Sequence, residues 1–161
     1  GRIGKEIAAR ARAFKMEVAY HGRSEQADQP YTFYPNLEAM ARDVDWLMII
    51  APATAATTGI VSRAVMEALG PEGRLVNIAR GALVDEPAMV ELLQSGALGG
   101  AALDVFVAEP QVPEALFDMD NVVLAPHVGS ATNRTRQKMG ELVVANLAAY
   151  FAGKPLLTPV C

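Results

Sequence analysis

Arg80, Glu109 and His127 are the side chains whose types and spacing could do chemistry. They stand in Asn77-Ile78-Ala79-Arg80-Gly81, Val107-Ala108-Glu109-Pro110 and Ala125-Pro126-His127-Val128-Gly129-Ser130, and each segment follows a stretch that reads as a strand. A guanidinium presents a planar fork of donors that matches a carboxylate. An imidazole with a carboxylate partner can give and take a proton near neutral pH. An anion clamp, a charge partner and a proton donor together suit reduction of a carbonyl beside a carboxylate, as in a 2-keto acid. Taken singly, each has an ordinary explanation. Arg80 could form a surface ion pair, Glu109 could be a solvated loop residue, and His127 could be structural. Their joint placement past successive strands is what argues for a site.

A second set of residues suits phosphate. Gly1-Arg2-Ile3-Gly4 opens a helical stretch and reads as the last four positions of G-x-G-x-x-G. The amides of Arg2 and Ile3, with the helix dipole, would attract a pyrophosphate that Gly1 lets approach. A dinucleotide fold needs a buried strand directly before that loop. The expectation is therefore a segment of a longer protein, with the first strand missing from it. Past the next strand, Tyr20-His21-Gly22-Arg23-Ser24 lacks the acidic residue that binds a ribose 2′-hydroxyl in NAD-binding folds. Glu17 comes too early and Glu25 too late. Arg23 and Ser24 instead offer a cation and a hydroxyl, so NADP(H) is expected over NAD(H). The plain alternative is a surface arginine in a turn.

The elements that must position these residues alternate along the chain. Ile3 to Phe14 reads as a helix, with Ile3, Ile7, Ala8, Ala11 and Phe14 as its apolar face. Met16 to Tyr20 reads as a strand, and Leu37 to Arg42 as a helix capped by Asn36. Trp46 to Ala51 is a continuous apolar run stopped by Pro52, expected to be a strand buried on both faces. Ser62 is expected to cap a helix reaching Leu69, before Gly70-Pro71. A strand over Leu75 to Ile78 leads to Asp85, the expected cap of a helix from Glu86 to Gln94. Strands follow at Ala101 to Val105 and Val122 to Leu124. A long helix spans Thr132 to Phe151. Strands separated by helical crossovers imply an α/β, Rossmann-like doubly wound parallel sheet, with ligands beyond the C-terminal strand ends. Residues 1–131 are expected to form the dinucleotide-binding domain. Residues 132–161 would supply a helix and tail that return toward a substrate domain.

Bulk properties close off other classes. At 161 residues the chain can bury one core. Its 52% apolar and 20% charged content is that of a globular protein rather than a disordered one. A net charge of −4 with scattered lysines and arginines argues against nucleic acid. The uncharged stretch from Trp46 to Ser62 contains Pro52 and does not read as a membrane span. The lone Cys161 fits a reducing cytoplasm. No cysteine and histidine cluster has metal-ligand spacing. Tyr150 and Lys154 mimic a Tyr-x-x-x-Lys pair, but Gly153 and Pro155 break the helix that would align them.

Three ordered segments carry a family resemblance. Asn77 through Glu86, Leu103-Asp104-Val105-Phe106 with Glu109-Pro110, and Pro126 through Thr132 resemble signatures of the D-isomer-specific 2-hydroxyacid dehydrogenases. Within that family the chain is most similar to the NADPH-preferring glyoxylate/hydroxypyruvate reductases. The resemblance implies Arg80 as carboxylate clamp, Glu109 as the partner of the histidine, and His127 as general acid/base. It also implies that Pro52 and Thr57 line the cofactor channel. Ile78, Ala79 and Asp104 would meet the nicotinamide end, with Gly129 and Ser130 nearby. A homodimer is expected from the resemblance, and a small 2-keto or 2-hydroxy acid as substrate. The rival reading is a dinucleotide-sensing, partner-binding relative, like the C-terminal-binding co-repressors.

Overall fold

The computed structural model describes residues 1–160, which divide into one unit over residues 1–126 and a second that begins at His127. The first unit runs α1 (Arg2–Ala13), β1 (Ala19–His21), β2 (Thr32–Tyr34), α2 (Leu37–Asp43), β3 (Trp46–Ile49), α3 (Arg63–Leu69), β4 (Arg74–Asn77), α4 (Glu86–Ser95), β5 (Gly100–Leu103) and β6 (Val122–Leu124). The second unit holds α5 (Asn133–Phe151). Every strand pair is parallel, in a two-stranded sheet β1-β2 and a four-stranded sheet β3-β4-β5-β6. Parallel strands joined through helices are the pattern of a Rossmann-like α/β domain.

Register matters most for the site. Ile49 pairs with Asn77, Asn77 with Leu103, and Leu103 with Leu124. The residues that follow each strand therefore leave the sheet along one edge. Below that edge the core gathers Leu47, Ile49, Leu75 and Leu103 from the strands with Met66, Leu69, Met89 and Leu92 from the helices. Each fully buried side chain of this kind contributes roughly 1.5–3 kcal/mol. Such packing makes the sheet edge a rigid platform.

Local signals explain the elements. Asn36 caps α2 through its side chain, which accepts the Ala39 N–H at 2.8 Å, and Asp85 caps α4 through the Ala88 N–H at 3.2 Å. Gly96 closes α4 in the left-handed conformation (φ 76°), where glycine carries no Cβ penalty. Ser62 does occupy the cap position of α3, but its side chain makes no capping bond.

Three expectations need correction. The apolar run at β3 is not covered on both faces, since Leu47 and Ile49 are buried while Trp46 and Met48 are 54% and 38% exposed. An apolar run reveals hydrophobicity, whereas burial depends on what lies above each face. On α1 the inward stripe is Gly4, Ile7, Ala8 and Ala11, with Ile3 and Phe14 exposed. Finally, the strand expected at Met16–Tyr20 lies at Ala19–His21 and pairs with β2, which the alternation did not reveal.

Candidate functional site

Asn77 ends β4 and is almost fully buried (1% exposed). Its side-chain Oδ1 accepts the Ala79 N–H at 3.1 Å, and its Nδ2 donates to the Arg80 carbonyl at 3.0 Å. One amide thus staples the turn that carries Arg80. Across the sheet the Asp104 N–H donates to the Asn77 carbonyl at 3.0 Å, so β5 leaves the edge in step with β4. Arg80 itself is extended and exposed, and its guanidinium donates to the Ala79 carbonyl. A short 3₁₀ turn, Gly81–Leu83, follows.

The loop after β5 is fastened to that turn. A Cβ built on Gly81 would lie 2.0 Å from the Phe106 carbonyl carbon and 2.4 Å from the Val107 nitrogen. Glu86, the first residue of α4, accepts the Val107 N–H on its Oε2 at 3.1 Å. Glu109 folds back and accepts the Phe106 N–H on its Oε1 at 3.0 Å. The fold therefore brings the Arg80 turn and the Glu109 loop into direct register. Asp104 lies at the start of this loop and is 9% exposed. Ile78 faces solvent at 41% exposure, while Ala79 is buried.

After β3 the chain turns at Pro52. The Thr57 hydroxyl donates to the Pro52 carbonyl at 2.7 Å and accepts the Thr54 N–H at 2.8 Å. The Thr57 hydroxyl thus shapes the loop that was expected to line the cofactor channel.

The residues expected to bind phosphate lie in two segments of the first unit, the start of α1 and the loop after β1. Gly1 is the N-cap position of α1, and no side chain caps that end. The first intrahelical bond is Lys5 N–H to the Gly1 carbonyl at 3.1 Å, so the amides of Arg2, Ile3 and Gly4 have no partner within the helix. Gly4 has a packing role as well, because a Cβ there would lie 2.5 Å from Ile50 Cδ1. Arg23 and Ser24 follow β1 in an exposed loop. Lys5 of α1 reaches that loop and donates to Asp28 Oδ2 at 2.6 Å. The Lys5 ammonium and a hydrogen bond from Gln29 hold the Asp28 carboxyl below its usual range.

His127 opens the second unit. Its backbone φ is +53°, a conformation non-glycine residues adopt rarely and at some strain. Val128 to Ala131 form a turn closed by the Ala131 N–H on the Val128 carbonyl at 2.9 Å, and this turn contains Gly129 and Ser130. Thr132 then caps α5 by accepting the Thr135 N–H at 3.2 Å. Among the described residues no group of three His, Cys, Asp or Glu could hold a metal ion, and no helix is long and apolar enough to cross a membrane.

Sequence reasoning missed Asn77 and Glu86 as positioning groups. The signal for Asn77 was a lone polar residue closing an apolar strand, but the signal for Glu86 was nothing beyond its place in a helix's first turn.

A parallel, doubly wound sheet with chemistry-bearing loops along its C-terminal edge defines a dinucleotide-binding domain of the Rossmann type. Residues 1–129 match the family described as D-isomer specific 2-hydroxyacid dehydrogenase, NAD binding domain, and the chain belongs to that family. Hydroxyphenylpyruvate reductase of Plectranthus scutellarioides is 53% identical over 160 residues, which are 99% of this chain and 51% of that protein. A glyoxylate/hydroxypyruvate reductase of Arabidopsis thaliana is 52% identical over 160 residues, again 99% of this chain and 51% of the relative. The crystal structure of an NADPH-dependent glyoxylate/hydroxypyruvate reductase from Sinorhizobium meliloti, in complex with NADP and malonate, superposes with a TM-score of 0.97 at 50% identity. It is matched over 100% of this chain and 50% of its own. The chain thus spans about half the length of the curated relatives it matches.

Proposed function

We propose that the protein carrying this chain is an NADPH-dependent 2-hydroxyacid dehydrogenase that reduces small 2-keto acids, glyoxylate and hydroxypyruvate foremost, to D-2-hydroxy acids. The observation that carries the reading is the fastening of the Arg80 turn to the Glu109 loop through Gly81 and Glu86 at the C-terminal sheet edge. Family membership and relatives with reductase names support it. On this reading residues 1–131 form the dinucleotide-binding domain, and residues 132–161 lead toward a substrate domain. The intact enzyme is a cytoplasmic homodimer.

The residues present fit the cofactor. Open amides at the start of α1 suit a pyrophosphate, held by Gly1, Arg2, Ile3 and Gly4. Arg23 and Ser24, with no ion pair or hydrogen bond to either side-chain polar group among the described residues, suit a 2′-phosphate. Pro52, Thr57, Ile78, Ala79, Asp104, Gly129 and Ser130 would line the remainder. When bound, NADPH supplies the hydride.

The chain's own side chains do the rest. Arg80 grips the keto-acid carboxylate with its fork and orients the neighbouring carbonyl. His127 would donate a proton to the carbonyl oxygen as negative charge develops there, and the family resemblance gives Glu109 as the charge partner of its imidazolium. General acid catalysis of this kind is worth roughly 10²–10⁴-fold. In the reverse direction neutral His127 accepts the hydroxyl proton.

The test is direct. The intact protein is mixed with NADPH and glyoxylate or hydroxypyruvate, and loss of the reduced-nicotinamide absorbance is followed. Turnover supports the reading. NADPH binding without turnover of any 2-keto acid would instead favour a dinucleotide-sensing role.

A further inference from the structure

The loop that carries Arg23 and Ser24 is tied down at several successive points. The Tyr20 hydroxyl, on β1, accepts the Gln26 N–H at 2.7 Å, and the Tyr20 ring rests against Phe33 of β2 at 5.3 Å between centroids. Gln26 Nε2 donates to the Ser24 carbonyl at 3.3 Å. The Gln29 N–H donates to the Gln26 carbonyl at 3.0 Å, and Asp28 is gripped by Lys5. At the root of the loop, His21 Nδ1 donates to the Tyr34 carbonyl at 2.8 Å, since a carbonyl can only accept. Lys5 belongs to the same helical turn as the open amides of Arg2, Ile3 and Gly4. The ion pair therefore joins the two segments assigned to phosphate in the proposed function.

We infer that Tyr20, Asp28 and Lys5 are positioning residues for cofactor choice: they hold the Arg23-Ser24 loop in the shape that receives a 2′-phosphate. This rests on the NADPH reading above. Ordering a loop beforehand spares that cost on binding, so the tethers raise affinity without touching the ligand. The benefit falls on the nucleotide that uses Arg23 and Ser24. A nucleotide with a bare 2′-hydroxyl gains little from a well-placed guanidinium.

Charge separates this from a simpler alternative. If Lys5 acted only as a nearby positive charge, removing it would weaken NADPH, and removing Asp28 would strengthen NADPH. If the pair acts as a tether, removing either partner weakens NADPH. The two accounts give opposite signs for Asp28.

The experiment measures dissociation constants for NADPH and NADH in the intact protein and in Lys5→Gln, Asp28→Asn and Tyr20→Phe, with the exchanged pair Lys5→Asp with Asp28→Lys. Each single variant should weaken NADPH roughly two- to fivefold, the scale of one exposed ion pair. NADH affinity should stay level, and the exchanged pair should recover most of the loss. Tighter NADPH binding by Asp28→Asn overturns the inference, as does an equal loss for both nucleotides or no change in either. A wild-type protein that does not favour NADPH over NADH would instead defeat the cofactor reading itself, before any variant is made.

Discussion

The α-carbon of Gly81 packs directly against the peptide of Phe106, so closely that a Cβ would lie 2.0 Å from that carbonyl carbon. This contact joins the turn after β4 to the loop after β5, and with it Arg80 to Glu109. The neighbouring atoms are backbone, so they cannot yield by a side-chain rotation. Gly81→Ala must separate the two segments. Overpacking of this kind costs about 1–3 kcal/mol. A urea titration of the intact protein should show that loss, and turnover should fall further than stability alone explains, because Arg80 and Glu109 move apart. Wild-type activity in Gly81→Ala would show that the spacing of these two residues is not critical.

Asn77 offers a second test of the same platform. Its side chain pairs both the Ala79 N–H and the Arg80 carbonyl from an almost fully buried position. Asn77→Ala leaves those backbone groups without their partner, at roughly 1–3 kcal/mol for each buried group left unmet. Asn77→Asp keeps the acceptor for Ala79 but replaces the donor facing Arg80 with a second oxygen. Chemical denaturation should therefore rank Asp below wild type. An Asp variant as stable as wild type would show that the bond to Arg80 contributes nothing.

These positioning groups mark where the sequence stops being readable. The caps Asn36 and Asp85 and the helix from Asn133 to Phe151 were legible because short-range chemistry decides them: a side-chain acceptor, a periodic face, a glycine stop. Arg80, Glu109 and His127 were legible as types placed after strands. Strand β2 was not, since Thr32-Phe33-Tyr34 is too short to show alternation and exists through its pairing with β1. The exposure of Trp46 and Met48 was hidden for a related reason. Nothing within their own segment states which face another layer covers. Gly81 and Glu86 act on residues more than twenty positions away, and no local pattern encodes that contact.

Tyr34 supplies a spectroscopic check on the β2 edge. Its hydroxyl donates to Asp43 Oδ2 at 2.9 Å, and that bond raises the phenol above its ordinary value of 10.0. A raised folded-state value means the contact stabilises the fold fully below pH about 10, the unfolded value, and that this contribution disappears as pH climbs through the folded value. Phenolate absorbance against pH should contain a late component from Tyr34. Tyr34→Phe should delete that late component, and Asp43→Ala should lower it toward the ordinary phenol value. A late component that survives both changes belongs to another tyrosine.

His127 calls for a substitution that respects its backbone. With φ at +53°, it occupies the left-handed region, where asparagine is at ease and alanine is strained. His127→Asn therefore removes the imidazole while keeping the turn, whereas His127→Ala adds backbone strain to the chemical loss. If His127 is the proton donor, both variants should lose about 10²–10⁴-fold in kcat, the usual contribution of a placed general acid. NADPH affinity should be retained, since the imidazole acts on the keto acid rather than on the nucleotide. Thermal unfolding should then separate the two, with Asn close to wild type and Ala below it. Equal activity in wild type and His127→Asn would remove the histidine from the mechanism, whereas a loss in an asparagine variant as stable as wild type is the loss of the imidazole itself, since that variant fits the backbone it replaces.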